Sequence, residues 1–390
     1  MTRRALTGTD IFDGQTLHTG CAILLDDAVF AGIVPTRDIP AGVPLKTVQD
    51  GTLLPGFVDL QVNGGGGVMF NDATDIAGLE TIARAHFASG TRALLPTLIT
   101  DTPQKTQTAI DAVEAAIAKG VPGIIGIHIE GPHLSIVRKG AHDASLIRPM
   151  TDEDETRLID AANRLPNVMV TVAPETVGPD QIARLVAAGV IVSLGHSDCS
   201  FEQASAAFSA GAVGATHLFN AMSQLGNREP GLVGATLNCG AAHAGLIADG
   251  IHVHPATLRA ALAVKSSPGA LFLVSDAMAT AGSEITEFRL NRRRVLRRDG
   301  RLTLEDGTLA GADLDLPTAL AVMIDTVGLS AETAFAMATS IPARLLRDGR
   351  RSGAFETGAA WTGIHLTRSL RYDPDVNAAL RQAVNPVSGP

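Results

Sequence analysis

VIVSLGHSDCSFEQASAAFSAGAVGATHLFNAM, residues 190–222, is the stretch that decides the fold. It reads as strand, helix, strand. The apolar run 190–194 suits a strand buried on both faces, and it ends at Gly195 and His196. Ser200 is the natural N-cap of a short Ala-rich helix that Gly211 closes. A second strand, 212–216, ends at His217. Two histidines therefore occupy the same ends of two successive parallel strands. In sheets with helical crossovers, chemistry gathers at the C-terminal strand ends. One reading is a pair of metal ligands, the other two imidazoles satisfied by neighbouring backbone; the equivalent strand-end positions favour ligands.

Working outward, six more apolar strand candidates share this pattern: 57–61, 92–98, 124–129, 168–173, 245–248 and 271–275. Helical segments separate most of them. Thr102-Pro103 is an N-cap with proline at the first helical position, and Thr151 with Asp154 resembles a capping box. Eight strand–helix units argue for a (β/α)8 TIM-like barrel over residues 52–346 rather than an open sheet. Its weakest unit lies between His217 and Gly245. Residues 288–304 read as a β-hairpin turning at Asp299-Gly300, an insertion near 285–309. Its arginine run (Arg292, Arg293, Arg294, Arg297, Arg298) reads as a solvated face rather than a binding patch. Helices are expected at 316–327 and 331–346. Residues 1–51 carry short strands and no helical period, and read as a small β domain. The segment 347–390 is expected to return to it through a strand at 363–367, completing a small β-sandwich, and to fray at 386–390.

Composition bounds the rest. Of 390 residues, 45% are hydrophobic and 4% aromatic, so Ala, Val, Leu and Gly must fill the interior, as in layered α/β folds. A net charge of −9 argues against a nucleic-acid or anionic-membrane surface. Three cysteines without a Cys-x-x-Cys spacing indicate neither a disulfide framework nor a thiolate zinc site. There is no apolar signal core after Arg3 and Arg4 and no run of transmembrane length, so a cytoplasmic protein is expected.

The barrel makes polar residues at strand ends converge. Strand one ends in Asp59, Gln61 and Asn63, strand three in His128 and Glu130, strands five and six in His196 and His217. Strand seven ends in Asp249 and then His252, and strand eight in Asp276. Glu130, His196 and His217 supply one carboxylate oxygen and two imidazole nitrogens, a normal set for a catalytic divalent ion with a position left for water. Zinc is the expected ion, one per subunit, with ferrous iron the alternative. Asp276 is then placed to take a proton from that water and pass it on.

The motifs PGFVDLQVNGGGG (55–67), GIHIEGPHL (126–134), KGAH (139–142), LGHSD (194–198), ATHLFNAM (215–222), REPGLVGA (228–235), IADGIHV (247–253), LVSDAM (273–278) and GTLAGA (307–312) together resemble the N-acetylglucosamine-6-phosphate deacetylases of the amidohydrolase superfamily. The resemblance implies hydrolysis of the acetamide of N-acetylglucosamine 6-phosphate to glucosamine 6-phosphate and acetate. It implies that Glu130, His196 and His217 hold the metal and that Asp276 is the acid/base. It further implies that His142 polarises the substrate carbonyl, that Ala141, Asn220, Ala221, Leu309, Ala310 and Gly311 contact the sugar, and that Arg228 and His252 bind the phosphate. One phosphate ligand is expected to lie near the interface of a homodimer. Gln61 and Asn63 stand where many relatives carry His-x-His, so one tightly held metal is expected, with both amides oriented toward it or its water. Ala312 replaces a common serine, and Ala359-Ala360-Trp361 departs from the family pattern. The alternatives are another amidohydrolase acting on a different N-acyl or cyclic amide, and a catalytically silent barrel scaffold.

Overall fold

The computed structural model describes residues 2–48, 50–347 and 352–384; the end expected to fray, 386–390, lies outside them. Eight parallel strands follow one another around a barrel: β1 (Phe57–Val62), β2 (Thr91–Ile99), β3 (Ile127–Glu130), β4 (Val168–Val172), β5 (Ile191–Leu194), β6 (Gly214–Ala215), β7 (His243–Leu246) and β8 (Leu271–Leu273). Each pairs with the next, as where Val170 of β4 faces Ile129 of β3 and Val192 of β5. The seam between β8 and β1 is closed just past the strand end. There the Asp276 N–H donates to the Gln61 carbonyl (3.1 Å), the Asn63 N–H to the Ala277 carbonyl (2.9 Å), and Val62 bridges Ala277.

The strands form where the sequence is apolar on both faces. All five residues of β4, VMVTV, are buried, and one apolar cluster runs from the strands into the surrounding helices. The helices start where their caps predict. The Thr102 hydroxyl accepts from the Lys105 N–H, Thr151 and Asp154 cap reciprocally, and Ser200 and Gln203 do the same. β6, the strand just before the unit that reads weakest, has only two residues. A side chain at Gly214 would run into the His243 backbone, so only glycine lets β7 approach this closely.

A polar chain crosses the barrel interior below the mouth. Ser193, Thr216 and Thr171 are linked hydroxyl to hydroxyl at 2.8 and 2.6 Å, and Thr171 lies 2.7 Å from His128 Nε2. The other ring nitrogen of His128 faces the Leu60 carbonyl at 3.0 Å. Burial pushes the His128 imidazole down to about 4, so it is neutral. It therefore donates from Nδ1 to Leu60 and accepts from Thr171, which fixes the direction of the whole chain.

The expected hairpin is larger than its sequence reading. The turn at Asp299-Gly300 forms, but Glu287–Leu290, Arg293–Arg298, Arg301–Leu304 and Leu309–Ala312 make a four-stranded antiparallel sheet. Leu290, Val295, Leu302, Leu304 and Ala310 bury against Met69, Ile99 and Met278 at the barrel mouth, which explains why four strands hold where two were read. The arginine run is also only partly a solvated face: Arg297 pairs with Asp313 at 2.7 Å and Arg293 donates to the Ala141 carbonyl. The helix expected at 316–327 is α-helical over Leu316–Ala321 and π-helical over Val322–Val327, and the next is divided into Ala331–Ala338 and Ser340–Ala343.

Two more four-stranded sheets involve the chain ends. One orders Val29–Pro35, Cys21–Asp26, Arg3–Thr7 and Leu45–Thr47; the other orders Gly363–Leu366, Thr52–Pro55, Asp10–Phe12 and Leu17–His18. Leu6, Ile23 and Phe30 from the first meet Ile11 and Leu53 from the second in a shared apolar cluster. The late strand pairs antiparallel with Thr52–Pro55. The helix Pro374–Val384, which the sequence reading lacked, completes this cluster with Leu380 and Val384. No helix among the described residues is long and apolar enough to cross a membrane.

Candidate active site

The C-terminal strand ends bring the predicted ligands together. Glu130 closes β3, and its Oε1 lies 3.2 Å from His196 Nε2 and 3.1 Å from His217 Nε2. The two Nε2 atoms are 3.1 Å apart. Ligands about 2.0–2.1 Å from a tetrahedral zinc are separated by roughly 3.3 Å, so this triangle fits a divalent ion. All three side chains are buried. The His196 Nδ1–H donates to the Arg138 carbonyl (2.8 Å), leaving the Nε2 lone pair toward Glu130. Burial acts to raise Glu130, but the adjacent imidazoles of His196 and His217 outweigh it and hold it well below the ordinary carboxylate range. Burial acts to lower His217, and Glu130 outweighs it and raises it. A third imidazole stands close: Glu130, His142 and His196 each offer an atom within 4.8 Å of the others. The cluster and the family shown below give the chain a divalent-metal site.

His196, His217 and Asp276 leave their strands with positive φ, at 47°, 30° and 47°. A left-handed backbone costs a non-glycine residue about 1–3 kcal/mol, and such strain gathers at functional sites. Here it turns three polar side chains into one cavity instead of letting the chain run on into the loop.

That cavity, about 350 Å3, is lined by Asn63, Glu130, Ala141, His142, His196, His217, Asn220, Ala221, His252, Asp276, Leu309 and Gly311 among the residues singled out from the sequence. Asp276 is 8% exposed, and burial together with the neighbouring Glu130 charge pushes its carboxyl up to about 6. The Asn63 amide N–H opposes this by donating to Asp276 Oδ1 at 2.7 Å. Gln61 sits behind Glu130, its amide 3.3 Å from both carboxylate oxygens. Both amides thus act as donors to carboxylates. His142 is buried, and burial and then His196 keep its imidazole well below the usual value, hence neutral.

The other predicted residues fall behind or beyond the wall. Asp249 accepts from His252 Nδ1 at 2.6 Å and from the backbone N–H groups of Ile251 and His252, so it holds His252 in place. Ala310 is buried in the capping sheet. Arg228 is exposed and does not line the cavity of its own chain.

Several participants escaped sequence reading. Arg138 lines the cavity and pairs with Asp198 at 2.7 Å, tying the loop after β3 to the loop after β5. Arg293, 152 residues along the chain, holds the carbonyl next to His142. Thr100, at the end of β2, lies 2.7 Å from His142 Nδ1. Only Thr100 had a usable signal, as the polar residue at the end of the second strand, which like the fourth was given none.

The Amidohydrolase family matches residues 52–372. The chain is 42% identical to N-acetylgalactosamine-6-phosphate deacetylase of Shewanella sp. (strain ANA-3), over 87% of this chain and 86% of the relative. It is 33% identical to N-acetylglucosamine-6-phosphate deacetylase of Haemophilus influenzae, over 91% and 92%. The crystal structure of N-acetylglucosamine-6-phosphate deacetylase from Pasteurella multocida superposes with a TM-score of 0.90 at 32% identity, covering 95% of this chain and 97% of that one. A mutant N-acetyl-D-glucosamine-6-phosphate deacetylase from Mycobacterium smegmatis, solved with N-acetyl-D-glucosamine-6-phosphate, gives 0.87 at 29% identity over 95% and 97%. The chain belongs to the amidohydrolase family, in the group of the N-acetylglucosamine- and N-acetylgalactosamine-6-phosphate deacetylases.

Proposed function

We propose that this protein hydrolyses N-acetyl-D-glucosamine 6-phosphate to D-glucosamine 6-phosphate and acetate, as a step of amino-sugar breakdown in the cytoplasm. The observation that carries the reading is the convergence of Glu130, His196, His217, His142 and Asp276 in one cavity, a set suited to opening an amide. A second reading, the galacto epimer as substrate, is favoured by the Shewanella relative.

Glu130, His196 and His217 would hold one divalent ion per subunit, most simply zinc, with ferrous iron the alternative. Such an ion supplies Lewis acidity toward water and the amide carbonyl. Asp276, ionised, takes a proton from the attacking water as the new C–O bond forms. It then delivers that proton to the nitrogen as the C–N bond breaks, because an amide anion is too poor a leaving group to depart unprotonated. His142 donates to the carbonyl oxygen, where negative charge builds up. His252, backed by Asp249, is the cavity residue suited to the phosphate dianion. The exposed guanidinium of Arg228 serves the neighbouring subunit of a homodimer. Anchoring the 6-phosphate away from the amide orients the acetamide for attack. Asn220, Ala221 and the Leu309–Gly311 strand face the sugar.

The test is acetate release from phosphorylated and unphosphorylated N-acetylglucosamine and N-acetylgalactosamine, with metal content and sedimentation measured on the same sample. Turnover confined to the 6-phosphates by a metal-bearing dimer is expected. Equal kcat/KM with and without phosphate, or an unchanged value in Arg228→Ala and His252→Ala, refutes the phosphate assignment; no acetate from any of the four refutes the reaction.

A further inference from the structure

An acetamide held for hydrolysis has three ends: the carbonyl, the nitrogen carrying the sugar, and the methyl. The first two meet the metal ligands and the polar side of the cavity; the third needs an apolar neighbour. The bond between carbonyl carbon and nitrogen is planar and trans, so the methyl and the sugar carbon leave it on opposite sides. With the carbonyl at Glu130, His196 and His217 and the sugar toward Asn220 and His252, the methyl points across the barrel mouth. Asn220 follows β6, and in a ring of eight strands β2 stands opposite β6. β2 ends in Ile99, which faces Glu130 in the β2–β3 register and lines the cavity. We infer that Ile99, Met278 and Leu290 wall a pocket for the acyl group, and that Leu290, brought in by the capping sheet, is the specificity-determining residue that limits the acyl chain to acetyl; this rests on the deacetylase reading above.

All three side chains are buried, line the cavity, and share one apolar cluster with Met69. Ala141, next to His142, packs against the same cluster, and Met278 comes two residues after Asp276. The wall thus adjoins both polar groups that act on the amide. It is also shut from behind. The Asn71 side chain clasps Ile99, accepting from its N–H at 3.2 Å and donating to its carbonyl at 3.0 Å. Met278 lies against Gly311, where an added Cβ would come 2.5 Å from its Cγ and Sδ. Leu290 has a different origin. It is the last residue of the strand Glu287–Leu290, and of that strand it alone lines the cavity. The chain turns directly after it, with Asn291 and Arg292 at φ 49° and 65°, so the capping sheet and not the barrel sets its position. A methyl fills such a site. Each further methylene has to displace packed side chains, which costs roughly tenfold to hundredfold in kcat/KM.

The test uses the zinc-loaded protein, the N-acetyl, N-propionyl and N-butyryl forms of glucosamine 6-phosphate, and the variants Leu290→Ala, Leu290→Val and Leu302→Ala. The valine variant keeps the comparison available if alanine does not fold. Leu302 is buried in the same sheet and does not line the cavity, so its variant reports loosening of the sheet alone. The quantity read is kcat/KM for each longer acyl group relative to acetyl; comparing this ratio between proteins cancels the intrinsic reactivity of the amides. The wild type should release propionate roughly ten to a hundred times less efficiently than acetate, and butyrate less efficiently again. Leu290→Ala should raise both ratios about tenfold, Leu290→Val should raise them less, and Leu302→Ala should leave them within about twofold. A wild type indifferent to acyl length, all acyl groups slowed equally in Leu290→Ala, or the same relaxation in Leu302→Ala each overturns the inference. Calorimetric binding of the three compounds to Asp276→Asn protein, with and without Leu290→Ala, makes the comparison without turnover. No acid released by the wild type overturns the reaction instead, and those affinities still decide the pocket.

Discussion

Replacing Asn63 by leucine isolates the contact that tunes the acid/base. Asn63 and Asp276 are 2% and 8% exposed, and the amide N–H reaches Asp276 Oδ1 at 2.7 Å. Leucine has the same branched shape and number of side-chain heavy atoms but is bulkier, offers no donor, and leaves no room for a water to substitute. A hydrogen bond to a charged group is worth about 1.5–3 kcal/mol. At about 1.4 kcal/mol per pH unit, its loss should raise the Asp276 pKa by roughly 1–2 units. Burial and Glu130 already push that carboxyl up to about 6. Asp276 acts as a base only when ionised, so activity falls as pH drops through its pKa, and a raised pKa moves the acid limb upward. A bound cation lowers the value in both proteins, which leaves the difference as the measured quantity. The assay is kcat/KM for acetate release across the acid limb. Asn63→Leu should shift the limb by 1–2 units toward alkaline pH, by the magnitudes above. Limbs that coincide within about 0.3 unit, with metal content unchanged, would show that Asn63 does not tune Asp276 or that Asp276 is not the base.

Three further outcomes are expected. Asp276→Asn should lower kcat by about 10²–10⁴ with metal content retained, because it removes proton transfer and leaves the ligands in place. Dialysis against a chelator should abolish acetate release and lower the melting temperature, and one equivalent of zinc or ferrous ion per subunit should restore both. Burial acts to raise Asp154, but the Arg148 guanidinium and the Thr151 N–H outweigh it and hold its pKa well below the ordinary value. Its stabilisation is therefore full above about pH 4 and declines as pH falls toward the folded value. Denaturant titration of Asp154→Asn should show a loss of about 2 kcal/mol at pH 7 that shrinks below pH 4.

The barrel was legible because its strands are short apolar runs that end in polar residues, and Glu130, His196, His217 and Asp276 announce themselves at those ends. The C-terminal helix Pro374–Val384 was not legible, because the apolar residues it buries face partners in the first 53 residues. The hairpin gave its central turn but not its outer strands, whose apolar residues are paired with the barrel mouth rather than with each other. Thr100 was missed because a threonine at a strand end is usually plain β structure, and its role depends on which ring nitrogen it meets. Arg293 was read as one of a solvated run; the Ala141 carbonyl that it holds is 152 residues away in sequence.

The directed chain from Ser193 through Thr216 and Thr171 to His128 gives the space under the active site a property of its own. A second proton on His128 would need an acceptor at Nε2, and Thr171 could provide one only if all three hydroxyls rotated together. The base of the barrel is thus electrically silent over the pH range in which Asp276 titrates.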